Sequence, residues 1–236
     1  MNILITNDDG ITSDGIVRLA RAAARCGTVW VVAPDHQCSA MSHRITLRHS
    51  IDVKEVEFPV EGVKAYASSG TPADCIRFGI LNIVEGKTDL VLSGINFGYN
   101  VGSDTQYSAT VGAALEGACV GIPSIALSED WGDCHEVTDA YLDDILKELI
   151  AKPLGINQIW NVNFPGCHIN ELKGIQRDRK VAENAIYIDR YDEEVLEDGT
   201  RRLTVNGVQH SNAGEGTDFR AVIDYYISIG IVHNIQ

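Results

Sequence analysis

No segment of this 236-residue chain approaches the roughly 20 apolar residues that a membrane-spanning helix needs. The N-terminus has no basic stretch, and its apolar run is too short for a secretory leader. Basic residues are scarce: 19 Lys and Arg stand against 33 Asp and Glu, a formal charge of −14. That balance argues against a nucleic-acid polymer or an anionic membrane surface as the main partner. It leaves room for a small phosphate ester, because a bound cation reverses the local field. The six cysteines include no Cys-x-x-Cys pair and no Cys/His grouping with zinc-site spacing. Reduced thiols in a cytoplasmic protein are therefore expected. Internal repeats and low-complexity segments are missing too. What is present is an ordinary globular composition, 44% hydrophobic and 22% charged, at a length that buries one full core.

Along the first two thirds, strand-like and helix-like patterns alternate. The run 3–6 reads as a first strand, and 15–25 as a helix capped by Ser13 or Asp14, with Ile16, Leu19, Ala20 and Ala23 on one face. Residues 28–33 form a continuous apolar strand that Pro34 ends. Thr71-Pro72-Ala73-Asp74 starts a helix that should reach about Ile80. Further strands are predicted over 89–93, 122–127 and 158–162. Helices are predicted after Ser108 and from a cap near Thr138. This alternation implies an α/β fold, a mostly parallel sheet with helices on both faces. The last third differs. Residues 186–205 are charged and broken by Glu-Asp-Gly, which suggests hairpins or a projecting arm. The apolar run 225–232 reads as a strand suited to an oligomer contact.

Polar clusters follow the strand ends. Asp8-Asp9-Gly10 comes first, and two adjacent carboxylates repel unless a cation sits between them. Residues 34–44 hold Asp35, His36, Ser39, Ser42, His43 and Arg44; taken alone they read as an ordinary polar connection. Gly94, Gly98 and Gly102 are interleaved with Asn96 and Asn100, which favours a loop that approaches a ligand closely. It is neither a dinucleotide fingerprint nor a Walker A loop. Ser108 and Thr110 open a helix whose N-terminus suits an anion. In a parallel sheet these loops share one edge. Together they offer carboxylate, amide and hydroxyl oxygens, a set for Mg²⁺ or Mn²⁺ beside a phosphate ester.

At this point the chain resembles the survival protein SurE family of metal-dependent nucleotidases. The matching stretches are Ile3-Leu4-Ile5-Thr6-Asn7-Asp8-Asp9-Gly10, Val32-Ala33-Pro34 through Ser39, Ser69-Gly70-Thr71-Pro72-Ala73-Asp74-Cys75, and Ser93-Gly94-Ile95-Asn96 with Gly98, Asn100 and Gly102. Tyr107-Ser108-Ala109-Thr110-Val111, Asn161-Val162-Asn163 and Thr217-Asp218 complete the series, in order over almost the whole chain. The resemblance implies a Rossmann-like catalytic core, set at 1–180, and a C-terminal extension, 181–236, that helps form a homodimer or homotetramer. It implies one divalent metal ion per subunit (Mg²⁺ or Mn²⁺), held by Asp8, Asp9, Ser39 and Asn96. It also implies hydrolysis of 5′- and 3′-nucleoside monophosphates, with short polyphosphate as a further substrate. Three departures stand out: Ala40 and Ala109 replace the family's usual glycines, and the end of the chain lacks its usual Thr-Pro.

The chemistry expected is in-line attack of water on phosphorus, with Asp8 or Asp9 taking the proton. Asn100, Ser108, Thr110 and the helix N-terminus are assigned to the phosphoryl oxygens. Two alternatives remain: an aspartyl-phosphate phosphatase, whose sites usually read Asp-x-Asp, and a metal and nucleotide binder without catalysis. A phosphoryl-receiver domain is excluded, because the strands that should end in an acceptor Asp and a Lys end in Ser93-Gly94 and Leu127-Ser128.

Overall fold

The computed structural model describes residues 1–209 and 212–234. The chain opens with β1 (Asn2–Thr6), α1 (Asp14–Ala23) and β2 (Thr28–Pro34). Next come β3 (Val53–Val56) and β4 (Lys64–Ser68), two strands the sequence pattern does not mark. β3 is largely exposed and β4 only partly buried, so neither carries the continuous apolar run of an interior strand. The series continues with α2 (Pro72–Phe78), β5 (Leu90–Phe97), α3 (Ala109–Cys119), β6 (Ser124–Glu129), α4 (Glu136–Ile150) and β7 (Gln158–Phe164). The remainder is β8 (Gly174–Arg179), β9 (Tyr187–Ile188), β10 (Tyr191–Val195), β11 (Arg201–Val205), β12 (Val208–Gln209), α5 (Asp218–Ile223) and β13 (Tyr226–His233).

Nine strands form one sheet in the order β3-β4-β2-β1-β5-β6-β7-β13-β8. The six from β4 to β7 are parallel, as the strand–helix alternation predicts. β1 has β2 on one side and β5 on the other, so the strand order reverses there. Ligands in such sheets bind outside the carboxyl ends of the strands at that reversal. Alternate side chains face opposite layers. Ile3, Ile5, Val31, Leu92 and Leu127 pack with Ile16 and Leu19 of α1 and with Leu142, Ile145 and Leu146 of α4. Leu4, Trp30, Val32 and Val91 pack with Cys75, Ile76 and Ala113 on the other face. Each fully buried Ile or Leu contributes about 1.5–3 kcal/mol.

Local chemistry explains most boundaries. Thr71 and Asp74 cap α2 reciprocally, with Pro72 inside the first turn. Ser13 does not cap α1 with its side chain; its Oγ instead accepts a hydrogen bond from Asn7 at 2.7 Å. α4 starts at Glu136 rather than at a Thr138 cap, and Thr138 is buried in its first turn. The glycine-bearing run expected as loop begins inside β5. Gly94 and Ile95 form an irregularity against β6, where Ser93 pairs with Ala126 and Asn96 with Ser128. Gly94 has φ +137°, and a Cβ there would lie 2.2 Å from Leu127 O, so the bulge needs glycine.

The C-terminal part divides between two places. β10 and β11 form the expected hairpin, extended by the short β9–β12 ladder. β13 lies inside the main sheet, antiparallel to β7 and parallel to β8, with its centre buried. Its apolar run reflects sheet burial. Residue 180 is accordingly not a boundary of the sheet.

Candidate functional site

The turn after β1 is built by Asn7, whose Nδ2 donates to Gly10 O at 2.9 Å as well as to Ser13 Oγ. It delivers Asp8 and Asp9 to the carboxyl edge of the sheet. Asp8 is buried, and Thr110 Oγ1 donates to its Oδ1. Burial pushes the Asp8 carboxyl up to about 7, against the Thr110 hydrogen bond, and the Asp9 charge adds to the rise. Asp9 is also raised, first by burial, although the Phe97 N–H (3.0 Å) and Gln37 hydrogen-bond to it. Glu129 pushes it further. Two adjacent carboxyls, both pushed toward the neutral form by burial, suit a positive charge between them.

The bulge in β5 places Asn96 beside them. Asn96 Nδ2 donates to Gly98 O at 2.7 Å, which leaves the amide oxygen, the atom a hard cation takes. Ser39 arrives from the loop after β2 because Cys38 N donates to the backbone oxygen of Asp8 at 2.7 Å. The same loop is held at its other end. Ser42 N donates to Tyr107 O at 2.9 Å, and His43 Nε2 lies 2.7 Å from Glu116 Oε2 on α3. Gly112 of α3 permits this approach, since a Cβ there would meet Ser42 O at 2.6 Å.

Asp8, Ser39, Asn96, Asn100 and Ser108 line one cavity of about 330 Å³. Asp9 stands behind it and lines a neighbouring cavity with Glu129 and His135. Asn100 is clamped: its N–H donates to Asn163 Oδ1, its carbonyl accepts from Asn161 and Asn163, and its Nδ2 donates to Ser128 Oγ. An amide nitrogen carries two donors, so Ser128 does not exhaust it. Ser108 caps α3 by accepting from Val111 N at 3.1 Å, and that bond leaves its own hydroxyl proton unused. The first N–H groups of the helix add donors nearby. Thr110 differs from its assignment. It is fully buried and does not line the cavity; its hydroxyl donates to Asp8, so it orients a carboxylate rather than reaching a phosphate.

Three lining residues were missed in the sequence. Tyr99, Trp131 and Tyr187 line the cavity as a run of aromatic rings, with centroids 6.2 Å apart for Tyr99–Trp131 and 5.8 Å for Trp131–Tyr187. Tyr99 lies in the glycine-bearing run, a usable signal, but Trp131 lies in the β6–α4 connection and Tyr187 in β9, and no local pattern marks them. Asp218 also has a role at a distance. It accepts from Gly102 N and Ala182 N and so fixes the start of the turn that leads to Ser108.

The model of the family described as "Survival protein SurE" matches residues 3–185. The chain belongs to the survival protein SurE family. A SurE relative named 5′-nucleotidase SurE, from Clostridium botulinum, is 39% identical over 239 residues, covering 99% of this chain and 93% of its own. One of the same name from Thermosipho melanesiensis is 38% identical over 232 residues, covering 97% and 90%. The crystal structure of the SurE protein from Aquifex aeolicus superposes with a TM-score of 0.84 at 34% identity, covering 100% of this chain and 95% of that one. Against the usual SurE pattern, the two alanine departures fall differently. Ala40 lines the cavity at φ +58°, where glycine is favoured. Ala109 is buried in the first turn of α3 and does not line the cavity.

Proposed function

We propose that this SurE-family chain is a divalent-metal-dependent phosphomonoesterase that hydrolyses nucleoside 5′- and 3′-monophosphates, with short polyphosphate as a further substrate. The observation that carries the reading is the cavity itself: Asp8, Ser39, Asn96, Asn100 and Ser108 at one part of its lining, and three aromatic rings at another. Asp8, Asp9, Ser39 and Asn96 would hold Mg²⁺ or Mn²⁺, and their all-oxygen donor set suits either ion. When bound, such an ion polarises the phosphoryl oxygens and eases loss of a proton from water. Ser108, the amide of Asn100 and the α3 N-terminus bind the phosphoryl oxygens. Thr110 holds Asp8 in place, and Asp9 is the carboxylate left to accept the water's proton. Tyr99, Trp131 and Tyr187 stack on the nucleobase, which separates nucleotides from simpler phosphate esters. Relatives that bear the name 5′-nucleotidase support the 5′-monophosphate part of this reading. In the same reading the β10–β11 arm, with Val195, Leu203 and Val205 exposed, joins copies into a homodimer or homotetramer. Among the described residues, no helix is long and apolar enough to cross a membrane.

The test is phosphate release from a panel of nucleoside monophosphates and short polyphosphate, with Mg²⁺, Mn²⁺ or EDTA. Release from the monophosphates with either ion, abolished by EDTA, is expected. No release under any condition contradicts the reading. Phospho-aspartate trapped from labelled substrate would instead favour a covalent mechanism.

A further inference from the structure

We propose that Cys134, Glu136 and His168 form a second cation site, built for a borderline transition-metal ion such as Zn²⁺ rather than for Mg²⁺. The three residues come from two connections: Cys134 and Glu136 from the β6–α4 junction, His168 from the segment after β7. The fold brings them together, which is why no metal-binding spacing is visible in the sequence.

The geometry suits tetrahedral coordination. His168 Nδ1 lies 2.9 Å from Glu136 Oε1 and 3.9 Å from Cys134 Sγ. All three ligand atoms are within 4.8 Å of one another. Bonds of about 2.0–2.3 Å at tetrahedral angles separate the ligands of a zinc ion by about 3.5 Å, between the two observed spacings. Small side-chain adjustments complete the site, and the fourth position is left for water. Cys134 is half-buried while Glu136 and His168 are exposed, so an ion can enter.

Neighbouring groups orient the ligands. The Ile169 N–H donates to Glu136 Oε2 at 3.0 Å and leaves Oε1 to face His168. The His168 N–H donates to Glu171 Oε2 at 3.0 Å, and the Glu171 N–H returns to His168 O at 2.9 Å. Such outer contacts hold first ligands in position. The charges also match: a thiolate and a carboxylate with a neutral imidazole balance one divalent ion. Thiolate and imidazole are poor ligands for Mg²⁺ and good ones for Zn²⁺. Bound there, the ion would tie the loop that carries Trp131 to the segment after β7, bracing one wall of the nucleotide cavity without taking part in the reaction.

Cobalt substitution tests the site on the full chain, kept reduced by a phosphine. Titration with Co²⁺ should produce thiolate-to-cobalt charge-transfer absorption that saturates at one equivalent, is displaced by Zn²⁺ and survives excess Mg²⁺. Cys134→Ser and His168→Ala should abolish the band, and Glu136→Gln should weaken Co²⁺ binding about 10- to 100-fold. No charge-transfer band, or a band unchanged in Cys134→Ser, would overturn the proposal. Asp8, Asp9, Ser39 and Asn96 offer only oxygen and give no thiolate band, so either outcome leaves the nucleotidase reading to its own assay.

Discussion

Ala40 sits at φ +58° in the cavity wall, one residue after Ser39. A left-handed conformation costs a residue with a Cβ about 1–2 kcal/mol, partly offset because alanine leaves the unfolded chain less free than glycine does. Ala40→Gly should therefore raise stability by up to about 1 kcal/mol, visible as a higher Tm. A fall in Tm would mean that the methyl packs usefully. Trp131 stands at the other part of the cavity, about one third exposed. Stacking a base on an aromatic side chain contributes about 1–3 kcal/mol. Trp131→Ala should raise KM for nucleoside monophosphates about tenfold and leave kcat nearly unchanged; an unchanged KM would remove Trp131 from the site. Asp8 and Asp9 were legible as a pair in the sequence because they end an apolar run. Their different surroundings were not, since they depend on Thr110 and Phe97, which come from distant elements.

At the scale of elements, the loop after β2 is the best example of what local pattern cannot carry. Nothing in residues 34–44 selects Ser39 except the family resemblance. The structural reason is a backbone bond from Cys38 to Asp8 and a latch of His43 and Arg77 on Glu116. The hydrogen bond from His43 holds the Glu116 carboxyl below its usual 4.5, against burial and with help from Arg77. A carboxyl with a depressed folded pKa stabilises the native state above its unfolded pKa and loses that contribution as pH falls through the folded value. The latch should be fully effective above about pH 4.5 and fail below it. Denaturant titrations across that range should give a shallower acid slope for Glu116→Gln than for the unaltered chain; equal slopes would show that the latch does not couple to folding. The interior strands β1, β2, β5, β6 and β7 were readable because burial on both faces demands apolar residues. β3, β4 and β8 were not, because an edge or half-covered strand carries little such pattern.

For the whole molecule, strand–helix alternation was enough to give an α/β sheet, and the clustering of polar residues at strand ends was enough to expect Asp8, Ser39, Asn96, Asn100 and Ser108 at one edge, where they line one cavity. The insertion of β13 between β7 and β8 was not readable, because an apolar run buried in a sheet looks like one buried between subunits. The arm is a separate matter. Tyr191, Val195, Leu203 and Val205 are exposed on a two-stranded ribbon, which is marginal without a partner. Light scattering should give a dimeric or tetrameric mass, and Leu203→Glu should shift it toward the monomer. A monomeric mass for the unaltered chain would contradict the oligomer.

The central claim is that the Asp8–Asp9 pair serves a metal-dependent phosphomonoesterase. The most direct measurement is Mn²⁺-dependent phosphate release from a nucleoside 5′-monophosphate by the unaltered chain and by Asp9→Asn, with circular dichroism on both. Turnover should fall about 100- to 1000-fold in the variant, while its spectrum and Tm stay close to those of the parent. An unchanged rate in a folded Asp9→Asn protein would contradict the account.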